Sequence, residues 1–196
     1  PIRQFDGHAY ITDRARICAE NTIVATHFPL FNKHGGYFLR MYQERSYVLA
    51  LRGAPDYDGM YMDAVKSGFS FRNHRDMLIL GCGSHRTGSK SSGWQPLFDL
   101  SQRYYPQALE EYRWAAQDCM TLDSIPYIGQ YSSGTSNLYV ATGYNKWGMT
   151  SSMIAATLLR DLICKNKNPY KDLFSPLRSS LHPQLAWNIL ESTKNL

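Results

Sequence analysis

Short strand patterns far outnumber helical ones along this chain, and that imbalance restricts it to an α+β fold built mainly on antiparallel sheet. Ile2 to Phe5, His8 to Thr12 and Arg16 to Ala19 read as a meander turning at Asp6-Gly7 and Asp13-Arg14. Asn21 to Thr26 is a brief β-prone run that stops before His27 and Pro29. Tyr37 to Met41 leads into Arg45 to Leu51, a sheet strand, and a turn at Ala54-Pro55-Asp56 precedes a short strand at Gly59 to Met62. Phe69-Ser70-Phe71-Arg72 alternates bulky and polar side chains, which suits a sheet with one covered face. Met77 to Leu80 is continuously apolar and reads as covered on both faces. Glu111 to Ala116 and Leu138 to Thr142 are further strands. The helix signals are Trp94 to Tyr105, ended by Pro106, and the longer Thr150 to Ile163.

With 196 residues and 43% hydrophobic side chains, the chain can bury a sizeable core, which argues against disorder. No run of about 18 apolar residues suggests a membrane span, and residues 1–10 carry no secretory signal pattern. The net charge of +5 is spread along the chain, so no nucleic-acid partner is expected. Cys18, Cys82, Cys119 and Cys164 form no CxxC pair, which disfavours structural zinc and a redox dithiol and fits a reducing, cytoplasmic setting. His8, His27, His34, His74, His85 and His182 lack metal-ligand spacing among themselves, so no metal is assigned. A GxSxG elbow, a GxxxxGK[ST] loop and an HExxH helix are all absent.

Three segments carry chemical content. In Val140 to Thr150, a strand, a glycine-hinged loop and a helix start converge, and unpaired amides there attract an anion or a polarised carbonyl oxygen. Gly143 and Gly148 let backbone approach a flat ligand; the plainer alternative is a tight turn capped by Thr150 or Ser151. In Gly81 to Gly88, glycines at a strand end place His85 and Arg86 on a loop. Arg86 suits a carboxylate and His85 a proton, although both equally suit a surface. In Gln117 to Gly129, Asp118, Thr121 and Asp123 either hold a ligand or satisfy the backbone of a long turn.

Together these segments resemble FAD-dependent oxidoreductases related to D-amino acid and glycine oxidases. The similarity is closest to a bacterial branch in which a C-terminal Rieske iron–sulfur domain can follow. The matching stretches are Asn21 to Pro29, Arg45 to Val48, Gly81 to Gly88, Trp114 to Asp118 and Thr121 to Gly129. Val140 to Thr150, continued by Asn168 to Arg178, is the most specific of them. The resemblance implies remnant strands of an FAD-binding domain over residues 1–30 and a substrate-binding domain over 31–130. It implies a return to the FAD domain over 131–178 and a tail or helix over 179–196. It sets Gly143, Trp147, Gly148, Met149 and Thr150, with Asp123, on the cofactor side, and leaves His85 and Arg86 as catalytic candidates.

The family opens on a GxGxxG loop that grips the pyrophosphate, and these residues contain none. The paired CxH and CxxH ligand set of a Rieske centre is absent as well. The chain is therefore expected to be a fragment of an amine or amino-acid oxidoreductase, inactive and without FAD by itself. Its expected partners are an N-terminal FAD-binding segment or, through exposed surfaces, a second copy. The alternative is a noncatalytic interaction or substrate-binding module that pairs with a separate FAD-binding chain.

Overall fold

The structure, a computed structural model, describes residues 2–5, 9–31, 35–65, 68–179 and 183–194. In chain order the first elements are β1 (Ile2–Phe5), β2 (Ala9–Thr12), β3 (Arg16–Cys18), β4 (Thr22–Val24), α1 (Tyr37–Arg40) and β5 (Met41–Arg52). Next come β6 (Met60–Met62), β7 (Ser70–His74), β8 (Met77–Arg86), α2 (Gln95–Tyr104) and β9 (Leu109–Thr121). The chain continues through β10 (Tyr127–Gln130), β11 (Leu138–Thr142), α3 (Gly148–Ile163), α4 (Lys171–Phe174) and α5 (Pro183–Lys194). The architecture is the expected α+β with mostly antiparallel sheet. Two compact units divide it: residues 42–120, and residues 1–41 with 121–196. The turn expected at Asp6-Gly7 lies outside the described residues, as do His8, His34 and His182.

The unit of residues 42–120 is a five-stranded sheet in the order β6-β7-β8-β5-β9. Antiparallel register sets Leu49 opposite Leu80 and Leu51 opposite Leu78, so four leucines share one face. That face packs with Tyr47, Cys82 and Leu97 of α2, while Trp94, Phe98 and Leu100 border the cluster. Pro96 suits the first turn of α2, where its missing N–H costs nothing, and Trp94 Nε1 donates to the Val48 carbonyl at 3.1 Å. Met77 to Leu80 departs from the expected cover on both faces: Leu78 and Leu80 are fully buried, whereas Met77 and Ile79 are half-buried. Continuous apolarity did not reveal this, because β-strand side chains alternate whatever their composition.

A second correction concerns Gly81 to Arg86, expected as a loop and found as the second half of β8. Opposite β5, Cys82 pairs with Tyr47 but His85 pairs with Arg45, so Gly83 and Ser84 together oppose Ser46. This is a β-bulge, and Gly83 adopts the left-handed conformation (φ 75°) that such a bulge favours.

In the other unit, β1-β2-β3 form one small antiparallel sheet, and β10-β11-β4 form a second in which β4 runs parallel to β11. Helix α3 packs Ala155, Leu158 and Leu159 onto Ile128 and Ala141 of that second sheet. Tyr37, Tyr127 and Tyr131 fill a neighbouring aromatic cluster with edge-to-face ring contacts. Asn188 of α5, buried, donates to the Leu39 carbonyl of α1 at 2.9 Å.

Candidate functional site

Strand β11 ends at Thr142, whose hydroxyl donates to the His27 carbonyl. Gly143 then takes φ 71°, and a Cβ built on it would lie 2.3 Å from Thr121 Cγ2, so no side chain fits there. Asn145 and Lys146 both hold positive φ, an arrangement that costs about 1–2 kcal/mol per non-glycine residue and needs support. Asn145 supplies it. Its Oδ1 accepts from the Thr121 amide at 2.8 Å, and its Nδ2 donates to Thr121 Oγ1 at 3.0 Å and to the Gly143 carbonyl at 2.7 Å.

This fixed loop delivers the start of α3. The helix begins at Gly148 with Trp147 at the cap position, and no side chain caps it. Neither Thr150 nor Ser151 serves as the N-cap: Thr150 Oγ1 donates back to the Trp147 carbonyl, and Ser151 is buried inside the helix. The amides of Gly148, Met149 and Thr150 thus sit at exposed positions at the positive end of a helix dipole. Trp147 and Met149 are 66% and 86% exposed, and Met153 and Ile154 continue an uncovered apolar face along the helix.

Asp123 sits in the same unit, turned to a different partner. Arg178 donates Nε to Asp123 Oδ2 at 2.7 Å and Nη2 to Oδ1 at 2.9 Å, and it also reaches the carbonyls of Ile125, Pro126 and Ser175. Burial pushes the Asp123 carboxyl up, but the Arg178 bonds, the Ile125 amide and the guanidinium charge outweigh it and hold its pKa below the ordinary value. Arg178 and Arg40 both stand over the Tyr127 ring, at 4.2 and 4.5 Å. Sequence reasoning missed Arg178 because it lies 55 positions from Asp123; only its place at the end of a matching stretch hinted at it.

In the 42–120 unit the bulge at Gly83-Ser84 decides where the two catalytic candidates point. His85 stacks on Tyr47 at 5.7 Å, on the face that α2 covers, and its Nδ1 lies 2.8 Å from the Gly83 carbonyl. Arg86 takes the opposite face, with its guanidinium 4.8 Å from the Tyr42 ring centre. Adjacent in sequence, the two do not share a face. Beside Arg86 in register lies Glu44, 2% exposed, whose Oε2 accepts from Ser84 Oγ at 2.8 Å. A glutamate this buried is rare without partners, and nothing in its local pattern marked it.

Cys82 and His85 have CxxH spacing, with no CxH pair in the sequence to accompany them. Both belong to β8, and no cluster of three or more His, Cys, Asp or Glu able to hold a metal occurs among the described residues. Burial raises the Cys82 thiol and pushes Cys119 to about 11, so neither is a ready thiolate. No helix among the described residues is long and apolar enough to cross a membrane.

Residues 2–162 match the family described as FAD dependent oxidoreductase (DAO). YhfW of Bacillus subtilis (strain 168), named as a Rieske 2Fe-2S iron-sulfur protein, is 40% identical over 171 residues, covering 83% of this chain and 34% of YhfW. Glycine oxidase from Geobacillus kaustophilus shares the fold with a TM-score of 0.72 at 22% identity, over 91% of this chain and 51% of that one. L-proline dehydrogenase from P. horikoshii does so with a TM-score of 0.68 at 18% identity, over 90% of this chain and 52% of that one. The chain thus spans about a third of YhfW and about half of each of these solved structures.

Proposed function

The chain belongs to the family of FAD dependent oxidoreductases, and from that membership we propose that it is part of an enzyme that oxidises an amine or amino acid by hydride transfer to flavin. In this reading the 42–120 unit forms the substrate domain, and residues 1–41 with 121–196 belong to the FAD domain. The observation that carries it is the uncapped start of α3, delivered by a loop that Asn145 ties to Thr121. Exposed amides at Gly148, Met149 and Thr150 suit an electron-rich carbonyl oxygen on a flat ring, and nothing lies within 4 Å of a Cβ built on Gly148. Trp147 and Met149 offer apolar surface beside them.

These residues fit the ring side of the cofactor only. No GxGxxG segment is present to grip the pyrophosphate, so in this reading the dinucleotide grip comes from a separate FAD-binding segment. FAD, when bound, supplies the acceptor for the hydride leaving the amine-bearing carbon. The chain's own contribution is positioning: the helix start favours negative charge on the reduced ring, and Arg86 pairs with a substrate carboxylate. His85, stacked on Tyr47, holds the strand end from which Arg86 projects.

A second reading is favoured by the bare apolar face of Met149, Met153 and Ile154: a noncatalytic module that pairs with a separate FAD-binding chain. One experiment separates the two. The chain is titrated with FAD by visible absorbance, alone and after mixing with a GxGxxG-containing segment from a family member, and anaerobic bleaching by small amino acids follows. No saturation alone, with one flavin per complex and substrate-dependent bleaching after mixing, is the expected result. Flavin binding without bleaching by any amine favours the noncatalytic module, and saturable binding to the chain alone removes the need for a partner.

A further inference from the structure

Four aromatic rings of the 42–120 unit stand around one small hollow. Tyr61 of the edge strand β6 lies directly opposite Phe71 of β7, and Phe71 pairs in turn with Leu80, which places the hollow on the α2-covered side of the sheet. Tyr105, at the C-terminal cap of α2, and Tyr57, from the loop before β6, complete a cavity of about 310 Å³. Hydrogen bonds set these walls before any ligand arrives. The hydroxyls of Tyr57 and Tyr105 are 2.9 Å apart, their rings meet edge to face at 6.4 Å, and Tyr61 donates its hydroxyl to the Tyr57 carbonyl at 3.1 Å.

Two properties of the hollow select its guest. Ring faces carry negative quadrupole charge, and among the described residues no arginine or lysine stands over any of these four rings. Asp56, Asp58 and Asp63 flank Tyr57 and Tyr61 within two positions along the chain, and the nearest cations in sequence, Arg52 and Lys66, are each five positions away. A larger adjoining cavity shares Phe71 and Tyr105 and is lined by Asp63, Asp99 and one cation, Arg103, whose guanidinium lies 5.3 Å from the Tyr104 ring centre. The field over the hollow therefore favours a cation. Its lining is four aromatic rings, with the hydroxyls bonded to one another or to backbone, and ring walls suit a methyl-covered cation better than a strongly hydrated primary ammonium.

We propose that the box of Tyr57, Tyr61, Phe71 and Tyr105 binds a small methylated ammonium ion, quaternary rather than primary, at a site on the sheet face opposite the one that carries Arg86. Both Tyr57 and Tyr61 are exposed, so the guest enters from solvent along the β6 edge.

The test is calorimetric titration of the full 196-residue chain with choline, alongside 3,3-dimethylbutan-1-ol, a neutral molecule of the same shape. Choline is expected to saturate at one per chain and to bind at least about tenfold tighter than the alcohol. Tyr61→Ala should weaken choline by about tenfold, while Tyr61→Phe, which keeps the ring, should weaken it no more than about threefold. Circular dichroism checks the fold of each variant. Equal binding of choline and the alcohol would show a merely apolar crevice and overturn the proposal. So would no saturation by about 100 mM choline, or choline binding untouched by Tyr61→Ala.

Discussion

Gly143 and Asp123 show how single residues fix loop geometry, Gly143 in the loop ahead of α3 and Asp123 through Arg178. Gly143 combines a left-handed backbone with a Cβ position 2.3 Å from Thr121 Cγ2, and Thr121 is itself tied to Asn145 and cannot retreat freely. Gly143→Ala should therefore cost about 3 kcal/mol, the sum of the backbone penalty and local overpacking, measured as a drop in the urea unfolding midpoint. A cost below about 0.5 kcal/mol would mean that the loop relaxes and that the Asn145 tie is weak. Asp123 acts through charge. Its carboxyl titrates lower in the folded chain than in the unfolded one, where the value is about 3.9, so its contribution is complete above that value and fades as pH falls through the folded pKa. Asp123→Asn should cost about 2 kcal/mol at pH 7, because it leaves the mostly buried Arg178 without its counter-charge. The loss should shrink steadily below about pH 4, and equal loss at pH 7 and pH 3 would assign the effect to packing.

Helix α3 carries apolar residues on two faces, and only one of them is covered within its own unit. Met149 and Met153, one turn apart on the bare face, contribute little to stability, so Met149→Gln with Met153→Gln should shift the unfolding free energy by less than about 0.5 kcal/mol. The same pair should reduce any concentration-dependent self-association seen by sedimentation velocity, and a large loss of stability would show that the face is covered after all. Local signals made α3, β11 and the long run of β5 legible in the sequence, since each depends on apolar period and nearby glycine. The continuation of β8 was not legible. Glycines at 81 and 83 read locally as a strand end, and only pairing with Glu44 to Tyr47, some 40 positions away, turns them into a bulged strand. The same limit hid the parallel ladder between β4 and β11 and the Asp123–Arg178 pair, because a contact between distant segments leaves no mark in either one. At the candidate site, the glycine-hinged loop was visible, whereas Asn145 as its tie and the separation of His85 from Arg86 required the folded register.

Across the whole chain the two units have separate cores, one built on Leu49, Leu51, Leu78, Leu80 and Leu97, the other on Ile128, Ala141, Ala155, Leu158 and Leu159. Strands β5 and β9 run into the 42–120 unit at residue 42 and out of it at residue 120, so that unit is an insertion into the other rather than a segment following it. Inserted units with their own cores can open without their hosts, and the free energy of opening is set by the core inside each. Leu97 is fully buried, and Leu97→Ala should remove about 2–5 kcal/mol from the core it belongs to. Hydrogen exchange followed by mass spectrometry should then show protection falling across residues 42–120, strongly in β5 and β8, and staying near wild type in β10, β11 and α3. Leu158→Ala should give the mirror pattern. A uniform fall along the chain in both variants would mean that the units unfold as one, and that a ligand in either is coupled to the stability of the other.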